Sequence, residues 1–194
     1  MTARKKKTSA KFVIAGGFGV GKTTFVGSVS EIDPLRTEAA MTSAAASVDD
    51  ASKVSSKTTT TVAMDFGRIT IDDDLVLYIF GTPGQDRFGF MWDDLSTGAL
   101  GAVVLADSRR LADCFHAVDY FEERDIPFVV AVNQFDGKAS HELDAIKQAL
   151  QLPDEVLVMH CDARDKASVK TVLLALFEII LNRMMADKLK VAAR

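Results

Sequence analysis

Cysteine is scarce in this 194-residue chain, which has only Cys114 and Cys161. Two cysteines are too few for a disulfide framework, and these two lack zinc-ligand spacing, so a reducing cytoplasm is the expected compartment. Neither sign of charge dominates. With 23 basic against 27 acidic residues, formal net charge −4, the chain has no global positive field of the kind nucleic-acid binders use, and no nucleic acid is expected as a partner. Long hydrophobic runs are missing too. The most apolar helical stretch, residues 172–181, is short and broken by Glu178, and the first residues hold no signal-peptide core. Thr2 stands where myristoylation needs glycine, and no cysteine lies near the C-terminus for prenylation. Direct membrane insertion is therefore not expected.

What remains is a 48% hydrophobic chain with enough apolar side chain for one core, so residues 1–194 are expected to form one domain. A basic leader, residues 1–11, reads as flexible. Short apolar runs then alternate with helical patterns. Strand-length runs at 12–15, 101–106, 128–132 and 156–159 are each followed by a helical pattern, the helices falling near 21–33, 111–123, 140–150 and 168–190. Residues 62–71 and 75–80 read as a β-hairpin around Asp72, Asp73 and Asp74, while 36–60 has almost no bulky apolar side chains and reads as a mobile loop. Continuous apolar strands with intervening helices predict an α/β fold built on a doubly wound, mostly parallel sheet.

The strongest chemical signal is Gly16-Gly17-Phe18-Gly19-Val20-Gly21-Lys22-Thr23, which follows a strand and opens a helix. This is the P-loop pattern: backbone N–H groups curl around a phosphate, Lys22 supplies a cation, and Thr23 can ligate Mg²⁺. With Thr24 after it, the segment is the candidate phosphate-binding set. It does not choose between ATP and GTP. That choice rests on Asn133-Gln134-Phe135-Asp136, at the end of the 128–132 strand. A carboxylate at Asp136 can accept from the N1–H and N2 amine of guanine, a donor pair adenine lacks. After the next strand, Ala163 is a candidate backbone donor to the guanine O6, with Arg164 beside it.

Between these motifs lies Gly81-Thr82-Pro83-Gly84-Gln85. The Gly84 amide can meet a γ-phosphate and Gln85 can orient an attacking water. Upstream, Thr61 is the candidate threonine for Mg²⁺ and the γ-phosphate, the alternative being that 58–61 is a polar tract without a role.

In this order the motifs resemble the small Ras-like GTPases across residues 12–189. The segments 61–67 and 80–88 are most similar to a bacterial branch containing the gliding-motility GTPases and the actinomycete conservon GTPases. The resemblance implies a P-loop three-layer sandwich with a six-stranded sheet, one antiparallel edge strand and about five helices. It also implies two nucleotide-sensitive switches, near Thr61 and Gln85, and a roadblock-type dimer as regulator, with a sensor-kinase-like signalling complex as a further partner.

Departures from the family pattern carry their own expectations. Gly81 stands where most relatives have an aspartate that supports Mg²⁺. If Asp72 to Asp74 form a three-residue loop, the hairpin register sets Asp65 opposite Gly81, where its carboxylate can reach the metal; otherwise Asp65 is a solvent-facing residue that blunts the strand. Phe18 crowds the space an arginine finger would use, which predicts slow hydrolysis of GTP to GDP. Gln134 replaces a lysine whose stem packs on the base, which predicts weaker affinity. Around the second switch, Phe88, Phe90, Met91 and Trp92 form an aromatic cluster, with Phe88 or Trp92 as a candidate partner anchor. Two other functions fit parts of this pattern: a nucleotide-binding scaffold that does not hydrolyse, and a P-loop ATPase.

Overall fold

The computed structural model describes residues 8–33, 35–40, 61–84, 89–135 and 141–192, with backbone alone for 35–40, 61–63 and 192. In chain order the elements are β1 (Thr8–Ala15), α1 (Lys22–Val29), β2 (Leu35–Ala40), β3 (Thr61–Thr70), β4 (Leu75–Gly81), α2 (Met91–Ser96) and β5 (Gly101–Ala106). A 3-10 turn (Leu111–Cys114) leads into α3 (Phe115–Glu123), followed by β6 (Phe128–Asn133), α4 (Leu143–Ala149), β7 (Val158–Cys161) and α5 (Lys166–Ala192).

The sheet runs β2-β3-β4-β1-β5-β6-β7. All six strands that the sequence predicts are present, and β3 is antiparallel to its neighbours as expected. Two expectations are corrected here. Residues 36–40 are not loop: β2 pairs antiparallel with β3 and becomes the edge, so the antiparallel strand lies one place in from it. Residues 8–11 are not leader either, because β1 starts at Thr8 and pairs in parallel with β4 from Thr8↔Leu75 onward. Residues 1–7 and 41–60 lie outside the described residues.

Alternation along the central strands builds a core on each face. From β1, Phe12 and Ile14 point to the side where α1 and α5 pack through Phe25, Val26, Val29, Val172 and Leu176. Val13 and Ala15 point to the other side, against Trp92, Val118, Phe121 and Ile146 from α2, α3 and α4. Parallel strands covered on both faces read as continuous apolar runs, which is why β5 and β6 were legible as GAVVLA and FVVAVN. Each fully buried side chain of this size contributes about 1.5–3 kcal/mol.

Trp92 belongs to this core and is not a partner anchor. It is 4% exposed and packs its ring against His116, Tyr120 and Phe121. Phe90 is exposed, and Phe88 lies outside the described residues.

Burial pushes the thiols of Cys114 and Cys161 up to about 11. At pH 8 both are therefore protonated and covered, and a disulfide-exchange reagent is expected to leave them unmodified in the native protein and to titrate both after denaturation. Rapid native modification of either would contradict the core assignment.

Candidate functional site

The site forms where the carboxyl ends of β1, β4, β6 and β7 meet the start of α1. After β1 the chain turns through the glycine-rich loop, and Gly21 caps α1 with φ 107°, a left-handed conformation that a side chain rarely adopts. Space forbids one as well: a Cβ on Gly21 would lie 2.7 Å from Asn133 Nδ2.

Asn133 explains that closeness. Its side-chain amide donates to the Val20 carbonyl at 2.9 Å and accepts from the Ala163 N–H at 3.0 Å. One buried side chain thus fastens the P-loop to both loops that follow β6 and β7. The Gln134 N–H donates to the Cys161 carbonyl at 2.7 Å, and Arg164, paired with Asp162, donates from Nη2 to the Gln134 carbonyl at 3.3 Å. The Ala163 amide, expected from the sequence to donate to the guanine O6, here donates to Asn133 and braces the site. Arg164 likewise serves as a brace between the two loops. Across the site, Arg109 stacks its guanidinium 4.2 Å from the Phe135 ring centroid while paired with Asp107. Asp136 lies outside the described residues.

On the phosphate side, Lys22 folds back over the loop and donates to the Gly16 and Gly17 carbonyls, each at 2.7 Å. Burial lowers its ammonium to about 8, with the Asp65 carboxylate pulling the other way. Gly84 closes over this end of the loop, since a Cβ there would meet Lys22 Nζ at 2.6 Å. Phe18 is 66% exposed, and its carbonyl accepts from Arg110 Nη2 at 3.0 Å. Gln85 lies outside the described residues, and of Thr61 only the backbone, in β3, is described.

The hairpin settles the geometry of Asp65. Asp72 to Asp74 form the loop, the Asp74 N–H donates to Asp72 Oδ1 at 2.7 Å, and the Ile71 N–H donates to the Leu75 carbonyl. The register then sets Asp65 opposite Gly81. Asp65 is 8% exposed and accepts from Thr23 Oγ1 at 2.7 Å, so it is not a solvent-facing residue. A Cβ on Gly81 would lie 3.1 Å from Asp65 Oδ2. The carboxylate fills the space that an aspartate at position 81 would need.

Sequence reasoning missed Thr82. It is buried, and its Oγ1 has no hydrogen-bond partner among the described residues. It lines the same cleft of about 340 Å³ as Lys22, Thr23, Asp65 and Gly84. An orphaned hydroxyl beside a carboxylate and a P-loop threonine suits a hydrated Mg²⁺ carried on phosphate. Among the described residues no cluster of three acidic, histidine or cysteine side chains could hold a metal unaided. A cation here would depend on phosphate oxygens for the rest of its shell.

The model of a family described as "Conserved hypothetical ATP binding protein" matches residues 14–183. The chain belongs to that family. A relative in Methanocaldococcus jannaschii, the uncharacterized protein MJ1339, is 31% identical over 133 residues, covering 68% of this chain and 73% of its own length. Among solved structures, the FeoB G-domain from Methanococcus jannaschii aligns with a TM-score of 0.60 at 13% identity, over 89% of this chain and 98% of that one. Family and fold together support nucleotide binding on a P-loop NTPase scaffold. Among the described residues of this chain no helix is long and apolar enough to cross a membrane.

The lowered Lys22 ammonium has a measurable consequence. In nucleotide-free protein the folded state releases that proton near pH 8, and an unfolded lysine near 10.5. Between those values the unfolded chain binds more protons, so folding stability rises with pH by up to about 1.4 kcal/mol per unit. Denaturant titrations across this window are expected to show that slope in the wild type and its loss in Lys22→Met; parallel profiles would contradict the assignment.

Proposed function

We propose that this protein is a guanine-nucleotide switch that binds GDP and GTP with Mg²⁺, hydrolyses GTP slowly and uses its nucleotide state to gate binding of another protein in the cytoplasm. The observation that carries the reading is the Asn133 clamp, which fastens the start of the Asn133-Gln134-Phe135-Asp136 segment to the P-loop. A base held beside the P-loop would then meet the Asp136 carboxylate, whose two acceptor oxygens match guanine and leave adenine unpaired.

In this reading Lys22 and the backbone amides of residues 16–21 bind the β- and γ-phosphates, Thr24 continues the phosphate cradle, and the Gly84 N–H senses the γ-phosphate. Lys22 exchanges two carbonyl acceptors for phosphate oxygens, a stronger charge-assisted pairing. Thr23, Thr61 and Asp65 are the metal-side residues, with Thr82 as an added hydroxyl. When bound, Mg²⁺ supplies positive charge against the developing charge on the phosphates. Gln85 orients water. The exposed Phe18 ring at the mouth of the loop favours slow turnover and a partner that acts on Gln85 without inserting an arginine. The resemblance to the conservon branch makes a roadblock-type dimer the regulator to try first.

The family's description favours a second reading, ATP as the nucleotide. Competition of GTP and ATP against a fluorescent GDP analogue separates the two. GTP is expected to win by about two orders of magnitude or more, since a site built to pair polar groups rejects an analogue that leaves them unpaired, and Asp136→Ala is expected to erase the margin. Preference for ATP by wild-type protein would favour the second reading.

Two further outcomes test the site. Asp65→Ala is expected to weaken the Mg²⁺ dependence of nucleotide binding by about tenfold to a hundredfold, as loss of a group that orients a metal-bound ligand does, while binding without Mg²⁺ changes little. Gln85→Leu is expected to abolish single-turnover GTP hydrolysis and leave GDP affinity unchanged; an unaltered rate would point to a scaffold that does not hydrolyse.

A further inference from the structure

Helix α5 outruns the body it packs on. It is 27 residues long, about 40 Å at the rise of an α-helix. Val172, Leu176 and Ile180 bury one stripe against the sheet, and Arg183 pairs with Asp125 on the same side. From Leu181 to Val191 every residue is exposed, yet Leu181, Met184, Met185, Leu189 and Val191 are large and apolar, and Leu174 is exposed as well. Solvated helices of this kind are marginal, and contiguous apolar faces in water mark interaction sites.

The outward stripe has a heptad pattern. Leu174, Glu178, Leu181, Met185, Lys188 and position 192 follow one another in alternating steps of four and three residues, and this seam faces away from the Ile180 side. Met184 and Leu189 flank it. Two charges interrupt the seam, Glu178 and Lys188, and neither has an ion-pair partner among the described residues.

Those charges choose the occupant. Laid antiparallel on a copy of itself about a two-fold axis near position 183, the seam sets Glu178 opposite Lys188 of the other copy. The same alignment sets Leu181 opposite Met185 and Leu174 opposite position 192. Every layer between positions 178 and 188 is then apolar on apolar or acid on base, in one register. A parallel pairing would set Glu178 against Glu178 and Lys188 against Lys188, and sliding the antiparallel pair by one heptad would part the two charges, setting Glu178 against Leu181 and Lys188 against Thr171 in one direction and Lys188 against Met185 in the other. We propose that α5 is a self-association surface on which two copies of this chain pair as an antiparallel, two-fold coiled coil. The bodies lie on the outer sides of the two helices, so packing on the sheet and pairing use opposite faces. This site lies on α5, away from the nucleotide cleft, and does not rest on the identity of the nucleotide.

Sedimentation velocity across the micromolar range tests the pairing, with circular dichroism melts certifying the fold of each variant independently of association. The wild type is expected to dimerise. Glu178→Lys and Lys188→Glu, which each create like-charge layers, are expected to weaken dimerisation by about tenfold or more, and the double exchange to restore it, because the charges again oppose. A wild type that stays monomeric throughout the range would overturn the proposal, as it would if this face took up a helix of another protein instead. So would single variants that associate as the wild type does, or a double variant as weak as the singles.

Discussion

The side-chain amide of Asn133 donates to the Val20 carbonyl and accepts from the Ala163 N–H, and the rest of the site depends on that pair of bonds. Asn133 is buried, so an unpaired amide there would cost on the order of 1–3 kcal/mol, and both partners are backbone groups that cannot move independently of their loops. The P-loop, the end of β6 and the loop after β7 are therefore one rigid cradle, not three adjoining segments. Gly21 is the price of that closeness, since any side chain would strike the amide. A ligand held on the P-loop is thereby held at a fixed distance from the segment that begins at Asn133.

The opposite wall of the site is less conventional. Gly81 lacks the side chain that would support a metal, and the β3–β4 register brings Asp65 to the same place from the neighbouring strand. An acid moved from one strand to the next keeps its position only if the pairing does not slip, and the Asx turn at Asp72 to Asp74 fixes it. Lys22 lies under burial that disfavours its charge, resting on two carbonyls. Such a lysine is poised to gain from an arriving polyanion, which restores the charge's partners.

Much of this was legible before the fold was known. The P-loop sits between a strand and a helix as its spacing requires, β5 and β6 carry the unbroken apolar runs of strands buried on both faces, and the three aspartates set the hairpin loop from which the placement of Asp65 follows. What escaped was set by groups the side-chain pattern does not record. The β2 segment, LRTEAA, carries no alternation of bulky residues, and its pairing with β3 is a matter of backbone hydrogen bonds. The bond from the Ala163 amide to Asn133 Oδ1 joins groups 30 residues apart in sequence, beyond the reach of local pattern. Trp92 lay in an aromatic cluster whose buried half depended on α3 docking beside it, and the orphaned Thr82 hydroxyl is a property of the closed cleft, invisible in a T-P-G turn.

The central claim is that the cradle held by Asn133 binds a guanine nucleotide, and the most direct measurement is the identity and occupancy of nucleotide in freshly purified protein. Chromatography of the denatured supernatant is expected to release GDP at a large fraction of one equivalent per chain, falling to background in Lys22→Ala. Verified folded protein that releases no nucleotide and gives no calorimetric response to GDP or GTP with magnesium would contradict the account.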